Sequence, residues 1–350
     1  LVLFYKRLTD VGGAERQLVT EYLYFREFGY RVTILCFEHR PGLLSGTVET
    51  NDVVQLGLGL RGIVRLISWM RNHRSAVYLC ASGFLEIFLA SITTGVSYAL
   101  HLHQPPYMTF ALDDKYGWLN RRAFKQHIEN SYEKERFIRI DSNLNAVERT
   151  KITLVGAVRQ MAYKRATHRL VCSETARNQW RDTWGLETKG ASGALSEEAF
   201  VASKAHLNIK LPDHGDKVFC VARHDPNKRI DVLIKGFALV LEQRPDALLI
   251  IAGTGPQHEE LKGLAASLGI GGRVVFAGLV PEDDLNSLYQ WSEVFVAIDF
   301  ADYRLTTFEA LARDCKVVVS VEADCEDSLR ASGYMYFARP DPVGVAEQLV

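Results

Sequence analysis

The chain has no CxxC pair, no apolar run of membrane length and no excess charge of one sign, and each absence removes a class of protein. Six cysteines (Cys36, Cys80, Cys172, Cys220, Cys315 and Cys325) are scattered through 350 residues. A disulfide framework or a metal site is therefore not indicated. Four of them close the apolar runs "VTILC", "VYLC", "HRLVC" and "KVFC", which reads as free thiols packed at strand ends. No apolar run reaches the roughly 18–20 residues that a membrane span needs. The ends, "LVLFYKR" and "VAEQLV", read as trimmed inside a strand and a helix, and no signal peptide is legible. With 41 Lys/Arg against 42 Asp/Glu the net charge is −1. The first 200 residues, however, carry 26 Lys/Arg against 20 Asp/Glu, and the acidic excess falls in the rest. Two halves of opposite sign suggest two domains with different partners.

What is present is a rhythm of short apolar or β-branched runs alternating with amphipathic segments. The first half predicts strands at 1–5, 31–38, 52–57, 76–81, 97–103 and 168–173, with a helix over 13–29. Segment 109–167 has no clear strand and is expected to hold two or more helices. The second half predicts strands at 216–222, 247–253, 273–278, 294–298, 316–320 and 334–338. Helices are expected between them at 228–243, 257–268, 282–291 and 306–313, and from 342 onward. Strands alternating with helices imply parallel sheets of βαβ units. The expected fold is α/β, two Rossmann-like domains facing a cleft. The first spans 1–205 and the second 206–350, because "HLNIKLPDHGDK" near 200–214 loses periodicity. Ligands of such sheets bind beyond the carboxyl ends of the strands.

Several strand-end loops carry candidate chemistry. "TDVGGAERQ" (9–17) puts Gly12 and Gly13 where a helix start could approach an anion; a plain tight turn is the alternative. It lacks the G-x-G-x-x-G spacing, so dinucleotide redox chemistry is not indicated. "VARHDPNKRIDVLIKGF" (221–237) places Arg223 just past a strand and Lys228 at the next helix. Two cations there can clamp a diphosphate and neutralise charge on a departing phosphate; the alternative is a solvated basic loop. "IIAGTGPQHEEL" and "FAGLVPEDDL" are glycine turns against which a flat ring could lie. "HLHQPPY" (101–107) ends a strand with His101 and His103 before a double proline, and His103 is the candidate to contact substrate or handle a proton. Glu309, in the first turn of the 306–313 helix, suits either the helix dipole or the vicinal hydroxyls of a ribose.

Together these residues resemble the retaining glycosyltransferases of family 4, which have the GT-B fold. The match is strong over the second half, from "VARHDPNKRIDVLIKGF" to "WSEVFVAI", while "GGAER" and the HxPP-like loop match in the first half. The C-terminal crossover helix usual in the family is expected to be missing. The resemblance implies that Gly12 and Gly13 approach the donor, that Arg223 and Lys228 bind the diphosphate, and that Gly278, Leu279 and Val280 border the base. It implies that Glu309, the second glutamate of the family's E-x7-E pattern, holds the ribose, with Asp302, Arg304, Leu305 and Thr306 completing the donor site. The donor is then a nucleotide-diphospho-sugar used as substrate, with no cofactor and no metal.

That pattern is degenerate here. Ala301 stands at the first glutamate, Asp302 is one position off, and Arg304, Asp314, Ala323 and Asp324 replace glycines or a cysteine–glycine pair; Asp327 stands near the usual later glutamate. Arg304 is expected to pair with an acidic sugar or with Asp302, or to crowd the sugar. Three readings follow: transfer of a sugar to a glycan or lipid-linked acceptor; a GT-B pseudoenzyme that binds nucleotide weakly or partners an active transferase; or an epimerase-like enzyme on the same fold, which no specific residue favours. The basic segments "RGIVRLISWMRNHR" (61–74) and "KITLVGAVRQMAYKRATHR" (151–169) add an anionic membrane surface as a partner of a cytoplasmic, peripheral protein. They lack the interleaved aromatics of a nucleic-acid site, so no nucleic-acid partner is expected.

Overall fold

The computed structural model describes residues 1–9, 12–41, 47–103, 108–112, 115–118, 129, 131–132, 134–135, 144–191, 195, 215–300, 304–323, 325 and 327–350. The chain divides into two compact units, Leu1–Ala194 and Leu195–Val350. The expected boundary at 205/206 lies outside the described residues.

In the first unit the order is β1 (Val2–Leu8), α1 (Gly13–Glu27), β2 (Thr33–His39), β3 (Val53–Gln55), α2 (Gly59–Asn72), β4 (Tyr78–Cys80), α3 (Phe84–Thr94) and β5 (Ala99–Leu102). Then come β6 (Met108–Leu112), β7 (Lys115–Trp118), α4 (Ala146–Arg165), β8 (His168–Val171), α5 (Glu174–Trp184) and β9 (Lys189–Gly190). Seven strands form a parallel sheet in the order β3-β2-β1-β4-β5-β8-β9. Side chains alternate along β1: Phe4 joins the core on one face, Leu3 and Tyr5 the core on the other. A sheet covered on both faces explains why its strands read as nearly unbroken apolar runs.

Segment 109–167 differs from the expectation. Among its described residues it holds a long helix, α4, and an antiparallel pair, β6 with β7, where no strand was expected. Strands of five and four residues are too short for periodicity to register. The two-residue β9 was missed for the same reason.

The second unit runs β10 (Lys217–Val221), α6 (Ile230–Gln243), β11 (Leu248–Ala252), α7 (His258–Ser267), β12 (Val274–Gly278) and α8 (Glu282–Trp291). It continues with β13 (Val294–Ala297), α9 (Leu305–Leu311), β14 (Lys316–Ser320), α10 (Asp327–Arg330), β15 (Met335–Ala338) and α11 (Pro342–Leu349). All six strands are parallel, in the order β12-β11-β10-β13-β14-β15. Again alternate residues serve opposite cores, Val218 and Cys220 on one face and Phe219 on the other. Each strand and helix expected here is present within a few residues. Both units therefore have the doubly wound, Rossmann-like arrangement expected of the two halves of a GT-B fold.

Candidate functional site

In the second unit the strand order reverses between β10 and β13, the kind of switch point beyond whose carboxyl ends ligands of such sheets bind in a crevice. Five charged side chains meet there. Asp299, two residues past β13, is 3% exposed. Its carboxylate takes Lys228 Nζ at 2.8 Å and Arg304 Nη2 at 2.5 Å. Burial alone would raise the Asp299 pKa, but Arg304 and Lys228 outweigh it and hold the carboxyl below the ordinary aspartate value. Arg304 also donates to the Ala297 and Asp299 carbonyls, at 2.6 and 2.8 Å. Arg229 is buried beneath the loop, donating to the Ile298 carbonyl at 3.0 Å and pairing with Glu322 at 2.7 Å.

This arrangement changes several expectations. Lys228 does not open the helix: it ends a 3-10 turn, Pro226–Lys228, and α6 begins at Ile230 after Arg229 adopts φ 51°. The left-handed residue turns the chain so that Lys228 and Arg229 serve different acids. Arg304 neither crowds the crevice nor reaches outward; its guanidinium is folded back under β13, where the strand-end carbonyls and a buried carboxylate offer what a long donor fork needs. Arg223 is largely exposed and tethered to Asp225 at 2.9 Å. Ala301 and Asp302 lie outside the described residues.

Glu309 is not in a first turn. Because α9 starts at Leu305, with Thr306 second, Glu309 stands in the second turn, 5% exposed. The helix-dipole reading is thereby removed. Its carboxylate accepts a hydrogen bond from Tyr289 of α8 at 2.9 Å. Asp314 has φ 59°, which explains why the resemblance places glycine there; aspartate is among the few residues that tolerate that region.

Beyond β10, β11 and β12 lies a small aromatic cluster. His224, wholly buried, stacks on His258 with ring centroids 5.0 Å apart, and Phe276 meets both rings edge-on. Burial, then the neighbouring His258, push the His224 pKa down to about 4, so its ring is neutral. Gly253 and Gly255 do not offer an open face for a flat ring. A Cβ on Gly253 would lie 2.0 Å from the Ala222 carbonyl oxygen, and one on Gly255 2.7 Å from the His224 backbone. Gly278, at φ 67°, does face open space; Leu279 beside it is exposed and Val280 is packed on the core.

In the first unit, Gly12 precedes α1 and its amide donates to Glu15 Oε2 at 3.0 Å, while Tyr5 donates to Oε1 at 2.8 Å. The chain's own carboxylate thus occupies the Gly12 amide; a Cβ added at Gly13 would meet nothing. His101 and His103 project from the end of β5 toward Cys172, just past β8. Burial would lower the His101 pKa, but hydrogen bonds to Cys172 and Glu21 raise it above the usual histidine value. His103 is pushed down to about 3 by burial and by His101. The apolar face expected to meet a membrane on α2 is spent inside the unit: Leu66 and Met70 are in the core, with Ile63, Ile67 and Trp69 packed against it.

Residues 204–326 match the family described as glycosyl transferases group 1. That stretch contains the whole charged crevice. Mannosylfructose-phosphate synthase of Agrobacterium fabrum is 30% identical over 148 residues, 40% of this chain and 33% of that protein. D-inositol 3-phosphate glycosyltransferase of Salinispora tropica is 30% identical over 177 residues, 47% of this chain and 36% of that protein. The chain thus spans about a third of the length of these relatives. Among solved structures, Anabaena Alr3699/HepE in complex with UDP-glucose superposes with a TM-score of 0.70 at 15% identity, covering 99% of this chain and 88% of that one. WaaG, a glycosyltransferase involved in lipopolysaccharide biosynthesis, gives 0.69 at 12% identity, covering 99% and 89%.

Sequence reasoning singled out Arg223, Lys228, Arg304 and Glu309 but missed Asp299, Arg229, His224 and Tyr289. A signal existed for Asp299: an acid directly ending "VFVAID" must be paired, because an unpaired carboxylate there would be buried at high cost.

Proposed function

We propose that the chain is a retaining glycosyltransferase that moves a sugar from a nucleotide-diphospho-sugar to a glycan or lipid-linked acceptor. The observation that carries this is Lys228 held by buried Asp299 at the switch point of a domain matching the group 1 family. A cation fixed this way costs little reorganisation when phosphate charge develops beside it. Arg223, on the same loop, exposed and paired with Asp225, is the second cation. Glu309 accepts the ribose hydroxyls, and Gly278, Leu279 and Val280 border the base. Arg304, Leu305 and Thr306 lead into this region, with Arg304 acting by orienting Asp299, and the donor contact proposed for Asp302 falls outside the described residues. Relatives and neighbours named for GDP-mannose and UDP support a nucleoside diphosphate donor.

In the proposed reaction the C1–O bond to the diphosphate breaks as the acceptor oxygen bonds to C1 from the same face. The acceptor proton passes to the departing phosphate oxygen, so no proton need pass through His103. Gly12 and Gly13 approach the donor only if the Glu15 carboxylate yields the Gly12 amide. The lipid-linked option rests on exposed Val147, Leu154 and Met161, seven residues apart along α4 beside Lys151 and Lys164. No described helix is long and apolar enough to cross a membrane; the contact proposed through this face is peripheral, on the cytoplasmic membrane face. Absence of salt-sensitive flotation with anionic liposomes would remove that option. No observation favours the inactive-partner reading.

Calorimetry with UDP, GDP and ADP and their sugars tests the donor site, with transfer or donor hydrolysis followed by chromatography. Lys228→Ala and Arg223→Ala should each weaken diphosphate binding by ~1–3 kcal/mol, Arg223 at the lower end because water screens it. Unchanged affinity in both variants, or no binding of any of the three nucleotides, would remove the proposal.

A further inference from the structure

We infer that His101, His103 and Cys172 form a binding site for a soft divalent cation of the zinc type at the ends of β5 and β8. This site lies in the first unit and is independent of the donor reading. His101 on β5 and His103 just past its end are two residues apart and lie together, their ring centroids 4.2 Å apart. The register pairing Leu102 with Val171 sets the next residues, His103 and Cys172, side by side. His101 Nε2 lies 3.8 Å and His103 Nδ1 3.7 Å from Cys172 Sγ. All three donor atoms fall within 4.8 Å of one another. A tetrahedral ion with Zn–S of about 2.3 Å and Zn–N of about 2.0–2.1 Å needs N···S separations of about 3.5 Å. The two N···S spacings require only a few tenths of an ångström of closure.

A second observation separates this from a chance cluster. The other ring nitrogen of His101, Nδ1, lies 2.7 Å from Glu21 Oε1 on α1. A carboxylate behind a ligating histidine selects the tautomer whose Nε2 carries the lone pair and raises its basicity. Glu21 is itself held by Gln17 Nε2 at 3.4 Å. Two nitrogens and one thiolate suit zinc over calcium or magnesium, which take oxygen ligands. On binding, the Cys172 S–H bond breaks as the sulfur bonds the ion, and its proton, with any proton on His101 Nε2, leaves to solvent. With three protein ligands the fourth position falls to water.

The metal-free alternative is a pair of ordinary N···S hydrogen bonds, and cobalt(II) distinguishes the two. Titrating the full chain with Co²⁺ should produce a near-ultraviolet thiolate-to-cobalt band and intense visible bands. These should saturate at one equivalent and be removed by Zn²⁺. Cys172→Ser should abolish the near-ultraviolet band, whereas Cys325→Ser, in the other unit, should retain it. Glu21→Gln should keep the band but weaken affinity on the order of 10–100-fold. Absence of the band in the folded wild-type chain at millimolar Co²⁺, or its persistence in folded Cys172→Ser, would overturn the assignment. Should Cys172→Ser fail to fold, unchanged cobalt affinity in Glu21→Gln would do so.

Discussion

Replacing Asp299 by asparagine keeps the shape of the side chain and removes the one negative charge between Lys228 and Arg304. Asp299 is 5% exposed in its side chain, Arg304 8% and Lys228 19%. Two cations would then face each other's field with no counter-charge. Breaking a buried ion pair by removing one partner costs ~3–5 kcal/mol, because the remaining charge is stranded. Lys228 retains some water, so the lower half of that range is expected. With a urea slope of roughly 2 kcal/mol per molar, the midpoint should fall by roughly 1.5–2 M. Far-ultraviolet circular dichroism, together with Trp291, the one tryptophan of the second unit, would follow the loss. Arg304→Met in the same chain should recover part of it, since the stranded guanidinium is gone, giving strong non-additivity. A midpoint shift under ~0.5 M, or additive losses in the double variant, would refute the view that Asp299 organises this crevice.

Other outcomes follow from neighbouring contacts. His224 is neutral and its pKa is lowered to about 4, so the unfolded chain binds the proton first. The stability it contributes is complete above the ordinary histidine value and is lost as pH falls toward 4, by about 3 kcal/mol at most. Urea midpoints measured from pH 7 to pH 4 should show this slope, and His224→Asn should flatten it. Tyr289→Phe removes the hydroxyl donated to buried Glu309; a loss of ~1–2 kcal/mol in stability is expected, with a measurable change in nucleotide affinity if Glu309 meets ribose. Gly253→Ala, at φ 110° and with its Cβ against the Ala222 carbonyl, should cost more than ~3 kcal/mol, read as a lowered thermal midpoint.

Much of the fold was legible because β-branched runs and amphipathic segments differ in period over enough residues to register. "KVVVS" and "EDDLNSLYQW" occupy β14 and α8 as expected. The hairpin of β6 and β7 was not legible, since nine strand residues carry no reliable period. The candidate site divides along the same line. Local order puts Arg223 and Lys228 on one loop, and any reading of "ARHDPNK" would find them. That Arg304 turns inward was invisible, because its partners, Ala297 and Asp299, matter only once β13 ends beside β10.

From the residues alone come the alternating α/β order, two domains of opposite charge and the loops beyond the carboxyl ends of the strands. These are properties of short windows, and periodicity, turn chemistry and charge are written there. Only the tertiary structure decided which charges are paired and which donors converge. Asp299 lies 71 residues from Lys228, and Cys172 lies 69 from His103. Parallel strands joined by long crossovers bring such pairs into contact by sheet register, and register is set by the packing of both faces rather than by any local signal.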